Sequence, residues 1–199
     1  MSKRSRLTRE DWSRAALDAI ARGGIDAVAV EPIAAELGAT KGSFYWHFEN
    51  RSALVAAALE LWERSTDAVI EYLEQEPDPA RRLRMLVDGA YDHGPSDPVE
   101  LALLSNPGDR TALRAVRRVA ERRVKYMADH LEALGWDADE ARDRAMLMAY
   151  LYSGRIQMSH IFPKISGAEV RRRQKLIFNT LVAGGVLPPT VEDAQEVEA

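Results

Sequence analysis

The chain has 199 residues, enough for one or two small domains and too few for a large multidomain machine. Hydrophobic residues make up 46% and charged residues 29% of the sequence, a balance typical of globular proteins. The absence of cysteine excludes disulfides, thiolate zinc sites and cysteine nucleophiles. Apolar runs are shorter than the ~18 residues that span a bilayer, and no apolar signal-peptide core follows the basic start. We therefore expect a soluble, cytoplasmic protein with no membrane partner.

Charge is distributed unevenly along the chain. Up to Arg51 there are 8 Lys and Arg against 7 Asp and Glu, whereas 19 and 24 follow, for an overall net charge of -4. The first nine residues carry Lys3, Arg4, Arg6 and Arg9 and no acid. Such an arm suits either contact with a polyanion or a disordered, solubilising terminus. A second basic run, between residues 114 and 125, suits a solvated helix face better than a binding surface.

The first four predicted elements are helices. Thr8 and Asp11 form a capping pattern ahead of a helix that Gly23 and Gly24 end. A second helix begins near Pro32 and stops at Gly38. Further along, Thr40 caps a short helix over residues 41–48, and Asn50 caps a long helix that ends before residue 77.

The remaining segments also predict helices, over about residues 80–93, 97–106 and 109–134, and then two more. Asp137 with Glu140, and Ser166 with Glu169, predict capping boxes for these last two. We find no useful strand pattern and no internal repeat. The sequence predicts an all-α fold with a three-helix unit at residues 1–51, a larger helical unit at 52–187 and a flexible acidic tail at 188–199.

The penultimate helix carries a continuous apolar block at residues 145–152. A surface helix needs only one apolar stripe, so a helix that is apolar nearly all round must be covered on two sides. We predict a homodimer through the last two helices, forming a symmetric four-helix interface. Burial inside a monomer is the alternative.

Residues 33–48, IAAELGATKGSFYWHF, have the pattern of a helix-turn-helix. The tight turn needs Gly38, and the close crossing of the two helices needs the small Ala34. Phe44 and Phe48 suit the core. Tyr45 and Trp46 are costly to expose unless they bind something, and a helix with such aromatics and flanking donors suits the DNA major groove.

The stretch from Leu7 to Leu61 resembles the DNA-binding domain of TetR-type transcriptional regulators. The residues that match are Ala16, Gly24, Ile33, Ala34, Leu37, Gly38, Thr40, Lys41, Gly42, Ser43, Phe44, Tyr45, His47, Phe48, Arg51, Ser52, Ala53 and Leu54. The resemblance implies a homodimer whose two recognition helices enter successive major grooves of a palindromic double-stranded DNA operator. Two departures stand out: Ala29 replaces the usual hydroxyl residue before the second helix, and Trp46 fills a position more often held by histidine or tyrosine.

The resemblance assigns roles to individual side chains. It implies that Lys41, Gly42 and Tyr45 lie at the DNA, that His47 grips its backbone and that Arg51 holds a phosphate. Ser43 and Trp46 are candidates to contact base edges. The full expected DNA-binding set is Arg4, Arg6, Thr40, Lys41, Gly42, Ser43, Tyr45, Trp46, His47 and Arg51.

The same resemblance implies that the body of the protein binds a small-molecule effector of unknown identity. Polar or aromatic residues within apolar stripes are the candidate pocket residues, although each also suits an ordinary core position: Trp62, Tyr91, Tyr126, His130, Tyr150 and Gln157.

No nucleotide-binding, metalloprotease or nucleophile motif is present, so we predict neither an enzyme nor a cofactor nor a metal site. The predicted function is a ligand-responsive repressor that an effector releases from its operator. The alternatives are an activator or effector-independent DNA-binding protein of the same fold, and a small helical enzyme or binding protein whose helical hairpin is structural.

Overall fold

The structure is a computed structural model that describes residues 7–92, 98–105, 108–162 and 166–184. These residues form nine α-helices and no strand, as the sequence predicts. The helices are α1 (Arg9–Gly23), α2 (Val30–Glu36), α3 (Lys41–Tyr45), α4 (Arg51–Leu73), α5 (Pro79–Asp92), α6 (Pro98–Leu104), α7 (Arg110–Ala133), α8 (Ala138–Ile161) and α9 (Gly167–Ile177). A 3₁₀ turn (Ile25–Ala27) follows α1, and a π-helical segment (Phe178–Val182) follows α9. The predicted tail at 188–199 lies outside the described residues.

Side chains cap several helices at the predicted positions. Thr8 and Asp11 form a complete capping box at α1, and Ser166 and Glu169 form one at α9. Hydrogen bonds from the backbone N–H and the hydroxyl of Thr8 lower the pKa of Asp11. Only one half of the capping box predicted at the start of α8 is present. Asp137 accepts from two backbone N–H groups, but the carboxylate of Glu140 instead pairs with Arg144 at 2.7 Å.

Two apolar clusters hold the helices together. The first unites α1, α2, α3 and α4 with α6 and α7, and Trp12, Phe44 and Leu54 lie at its fully buried centre. The second joins α5, α7, α8 and the π-helical segment. Because α4 runs unbroken from Arg51 into the body, apolar packing continues across residue 51.

None of the helices in the described ranges combines the length and hydrophobicity that a membrane span requires.

Candidate nucleic-acid interface

The short helix α3 separates buried from exposed aromatic side chains. Phe44 is fully buried against Trp12, with 5.5 Å between ring centroids, and stacks on Phe48 at 5.7 Å. Tyr45 is 57% exposed and Trp46 is 82% exposed. Phe44 therefore anchors α3 to the core, while Tyr45 and Trp46 present their aromatic rings to the solvent. The regular helix ends at Tyr45, earlier than the predicted 41–48, and the chain continues as a turn in which the Phe48 backbone N–H donates to the Phe44 carbonyl at 3.0 Å.

The turn and the cap fix where α3 begins. Gly38 takes a left-handed φ of 62°, which glycine adopts without strain, and this ends α2. The Thr40 hydroxyl oxygen accepts from the backbone N–H of Ser43 at 3.2 Å. Its own hydroxyl proton remains a donor for an outside acceptor such as a phosphate.

Gly42 is exposed in the first turn of α3. A Cβ built there would meet its nearest neighbour, Thr40 Oγ1, at 3.7 Å, which is ordinary van der Waals contact. The packing of this chain therefore does not require a glycine at position 42.

Lys41 forms an ion pair with Glu31, which the sequence analysis did not single out. Lys41 Nζ lies 2.8 Å from Glu31 Oε1, across the turn between α2 and α3. The hydrogen bond lowers the pKa of Glu31 and raises that of Lys41, so both groups stay charged near neutral pH. Ten residues separate the two in sequence, and only the helix-turn-helix fold brings them together.

Arg51 makes contacts that differ from the expected phosphate contact. Its Nε and Nη2 atoms donate to the backbone carbonyls of Val28 and Ile25, both at 2.6 Å. Two of the three guanidinium nitrogens therefore tie the segment between α1 and α2 to the start of α4. The neighbouring Asn50 caps α4, as predicted.

Arg9 is a second residue that the sequence analysis did not identify as structurally important. Its Nη1 donates to the carbonyl oxygen of His47 at 2.7 Å, and its guanidinium lies 4.3 Å from the centre of the Phe48 ring. Arg9 thus holds the end of α3 against the start of α1. The half-buried His47 side chain lies beside this contact. Arg4 and Arg6 lie outside the described residues.

A groove of about 580 Å³ runs beside α3. Lys41, Tyr45 and Arg51 contribute to its lining, together with the carboxylates of Asp26, Glu31 and Glu49. In this groove, negative side chains outnumber positive ones, which is unusual for a surface expected to face a polyanion.

The candidate effector residues do not come together in one place. Trp62 is buried in the first apolar cluster, and Tyr126 and His130 are buried together on α7. Tyr150 and Gln157 are exposed on α8, so they line no interior pocket formed by the described residues. The side chain of Tyr91 lies outside the described part of the chain.

Tyr126 and His130 belong to a polar network at the ends of α4 and α7. His130 Nδ1 lies 2.8 Å from the carbonyl oxygen of Tyr126, and its Nε2 lies 2.9 Å from Arg82 Nη1. Arg82 also pairs with Glu74 at 2.9 Å. Burial, reinforced by the nearby Glu74 charge, raises the pKa of Tyr126 to about 12. His130 therefore has protein partners on both ring nitrogens.

Much of the basic run on α7 pairs with acids. Arg118 binds Glu63 and Arg122 binds Asp67, the latter at 2.8 Å, and these four residues link α7 to α4. Arg122 and Asp67 each lie four residues after Arg118 and Glu63, on helices that run in the same direction. The two ion pairs are therefore about one helical turn apart. This part of the run is neither a free solvated face nor a free binding surface.

Comparison with known proteins yields a family match to the N-terminal region. Residues 14–58 match the model of bacterial regulatory proteins of the tetR family. This segment contains α2, α3, the turn between them and the start of α4. No curated protein matches the sequence.

Solved structures share the fold over almost the whole chain. A transcriptional regulator from Rhodococcus sp. Rha1 is 20% identical, with a TM-score of 0.71 over 92% of this chain and 100% of that one. A TetR transcriptional regulator from Legionella pneumophila is 13% identical, with a TM-score of 0.74 over 90% and 100%. FadR from Bacillus subtilis, solved in complex with stearoyl-CoA, is 14% identical, with a TM-score of 0.66 over 90% and 100%. The matched segment resembles the N-terminal region of tetR-family regulators, and the chain as a whole shares the fold of these solved transcriptional regulators.

Proposed function

We propose that the protein is a homodimeric repressor that binds a palindromic operator and leaves it when a small-molecule effector binds. The observation that supports this proposal most strongly is the outward display of Lys41, Tyr45 and Trp46 around a helix anchored by buried Phe44. Exposed aromatic side chains next to a cation fit a major groove about 12 Å wide. The α3 contacts with base edges would select the sequence, while contacts from Thr40, Lys41 and His47 to phosphates would fix the register.

An exposed apolar stripe on α8 supports the dimer. Its members follow one face of the helix and its C-cap at spacings of three and four residues, and the rest of the described chain leaves them exposed: Leu147, Tyr150, Leu151, Met158, Ile161 and Phe162. Gly154 lies in the same stripe, and space for a Cβ is open there, so a second helix can approach closely. A second copy of α8 and α9 would cover this face in a twofold arrangement.

The proposed release from DNA depends on α4 as a lever. Leu54 at one end lies in the core of the DNA-contacting unit, while Glu63 and Asp67 further along are bound to α7. An effector that binds a displaced arrangement of the body more tightly would therefore move both recognition helices. A preference of ~3 kcal/mol would weaken DNA binding about a hundredfold. Bacillus subtilis FadR, which shares this fold, was solved in complex with stearoyl-CoA, and this supports a small-molecule ligand for the present protein.

The direct test is selection from a pool of randomised duplex DNA with the purified full-length protein. We expect enrichment of a twofold-symmetric site with half-sites about 34–36 Å apart. Enrichment of no sequence would contradict the proposal. The selected duplex then serves as the probe in a screen for small molecules that release it. A protein that no molecule releases would instead fit an effector-independent regulator.

Trp46→Ala is expected to change which operator the protein prefers. The side chain is 82% exposed, so its removal leaves the core intact while deleting a candidate base contact. Repeating the selection with this variant measures the change, position by position. An equal loss of affinity for all sequences would show that Trp46 does not contact base edges.

Gly42→Ala is expected to weaken DNA binding without lowering the free energy of unfolding. The packing around position 42 accepts a methyl group, and alanine favours a helix over glycine by roughly 0.5–1 kcal/mol. The free energy of unfolding should therefore hold or rise, while the added Cβ obstructs close approach of the backbone to DNA. Urea unfolding and operator titration measure the two effects. Unchanged operator affinity would remove Gly42 from the interface.

A further inference from the structure

We propose that Glu31 limits the affinity of the protein for DNA, because its carboxylate competes with DNA phosphates for Lys41. This inference rests on the proposed DNA-binding function. It assigns to the acid a role in setting how tightly the protein holds DNA, in addition to the roles of the side chains that contact DNA directly.

The geometry places the two side chains where each can move. Glu31 lies in the first turn of α2 and Lys41 opens α3, and their charged ends meet at 2.8 Å. Both side chains are more than half exposed, so neither is held by the core. A phosphate that approaches α3 therefore competes with the Glu31 carboxylate for the Lys41 ammonium group.

The surroundings strengthen this competition. Asp26 and Glu49 line the same groove as Glu31, so a phosphate entering it also meets negative charge. An exposed ion pair contributes little stability, so Glu31 weakens the phosphate contact of Lys41 without preventing it.

Glu31 also has a plausible structural role. Ala29, at the N-cap of α2, provides no side-chain hydrogen bond, and an acid in the first turn favours the helix through its dipole. A purely structural Glu31 would affect the stability of α2 without any dependence on Lys41. The two roles therefore predict different results in a double-mutant cycle.

The test measures binding of the full-length protein to a fluorescent duplex of random sequence, about three helical turns long. The variants are Glu31→Gln, Lys41→Ala and the double substitution. Glu36→Gln is the matched control, since Glu36 forms a similarly exposed ion pair with Arg22 at 2.9 Å outside this groove. Each titration is repeated over a range of salt concentrations.

Glu31→Gln is expected to tighten binding to random DNA about two- to fivefold for each recognition helix. The slope of log affinity against log salt should steepen by about one for each lysine released to a phosphate. Glu36→Gln should leave both quantities unchanged. In the Lys41→Ala background, the gain from Glu31→Gln should disappear.

Two results would overturn the inference: wild-type affinity in Glu31→Gln, or an equal gain with and without Lys41. The second would mean that Glu31 acts as a general negative charge. A wild-type protein that binds no duplex at any salt concentration would instead contradict the proposed function itself.

Discussion

Phe44→Ala is expected to unfold the N-terminal part of the protein and to abolish DNA binding. The ring is fully buried and contacts both Trp12 and Phe48. Removing such a side chain costs about 3–5 kcal/mol, through lost burial and the cavity left behind. This approaches the total stability of many domains, which is about 5–15 kcal/mol. Urea unfolding followed by circular dichroism and Trp fluorescence measures the loss.

Tyr45→Ala is the matched control, one residue along the same helix. Tyr45 is exposed, so this variant should keep its free energy of unfolding within about 0.5 kcal/mol of wild type. Its DNA affinity should nevertheless fall. Equal stability of the two variants would contradict the inward placement of Phe44 and the outward placement of Tyr45.

Leu151→Glu is expected to convert the proposed dimer into monomers and thereby to remove tight operator binding. Leu151 is 44% exposed at the centre of the apolar stripe on α8. In the proposed twofold interface this substitution places two carboxylates in a desolvated contact, where unpaired charges are strongly unfavourable. Sedimentation velocity at micromolar concentration should give the mass of one chain.

Val69→Glu provides the comparison for a similar change on another surface. Val69 is 50% exposed and lies on α4, a different helix from the one that carries the stripe. This variant should sediment as a dimer and bind DNA as the wild type does. A dimer with Leu151→Glu, or a monomer with Val69→Glu, would place the subunit interface elsewhere.

Local signals were sufficient to predict most of the helices. A capping residue acts within three or four positions of itself, so Thr8, Asn50 and Ser166 mark helix starts that the structure confirms. The apolar block on α8 likewise follows from periodicity. Its division into an inner face with Ala145 and an outer face with Leu147 depends on which helices pack against it.

Contacts between distant segments escaped prediction. Glu31 and Lys41 meet only because the turn at Gly38 folds α3 back on α2. The charge of Arg51 suggested a phosphate contact. Its hydrogen bonds to two backbone carbonyls more than 20 residues earlier could not be predicted from the residues next to it in sequence.

The effector candidates were chosen for chemistry alone. Sequence spacing did not show which of these residues point inward, least of all on α8, which is apolar nearly all round. In the structure, Trp62 on α4 lies in the core and Tyr150 on α8 lies on the surface. To predict a pocket formed by several helices, one must know how those helices are placed relative to one another.

The central claim is that the exposed face of α3 lies against double-stranded DNA, and site-specific photo-crosslinking tests it most directly. A photoreactive phenylalanine analogue replaces Trp46 in one protein and Tyr72 in another, since Tyr72 is an aromatic residue 60% exposed on α4. On the selected operator, we predict that position 46 crosslinks to bases in two major grooves one helical turn apart, and that position 72 does not crosslink. Equal crosslinking from both positions, or none from position 46 to DNA that the protein binds, would contradict the claim.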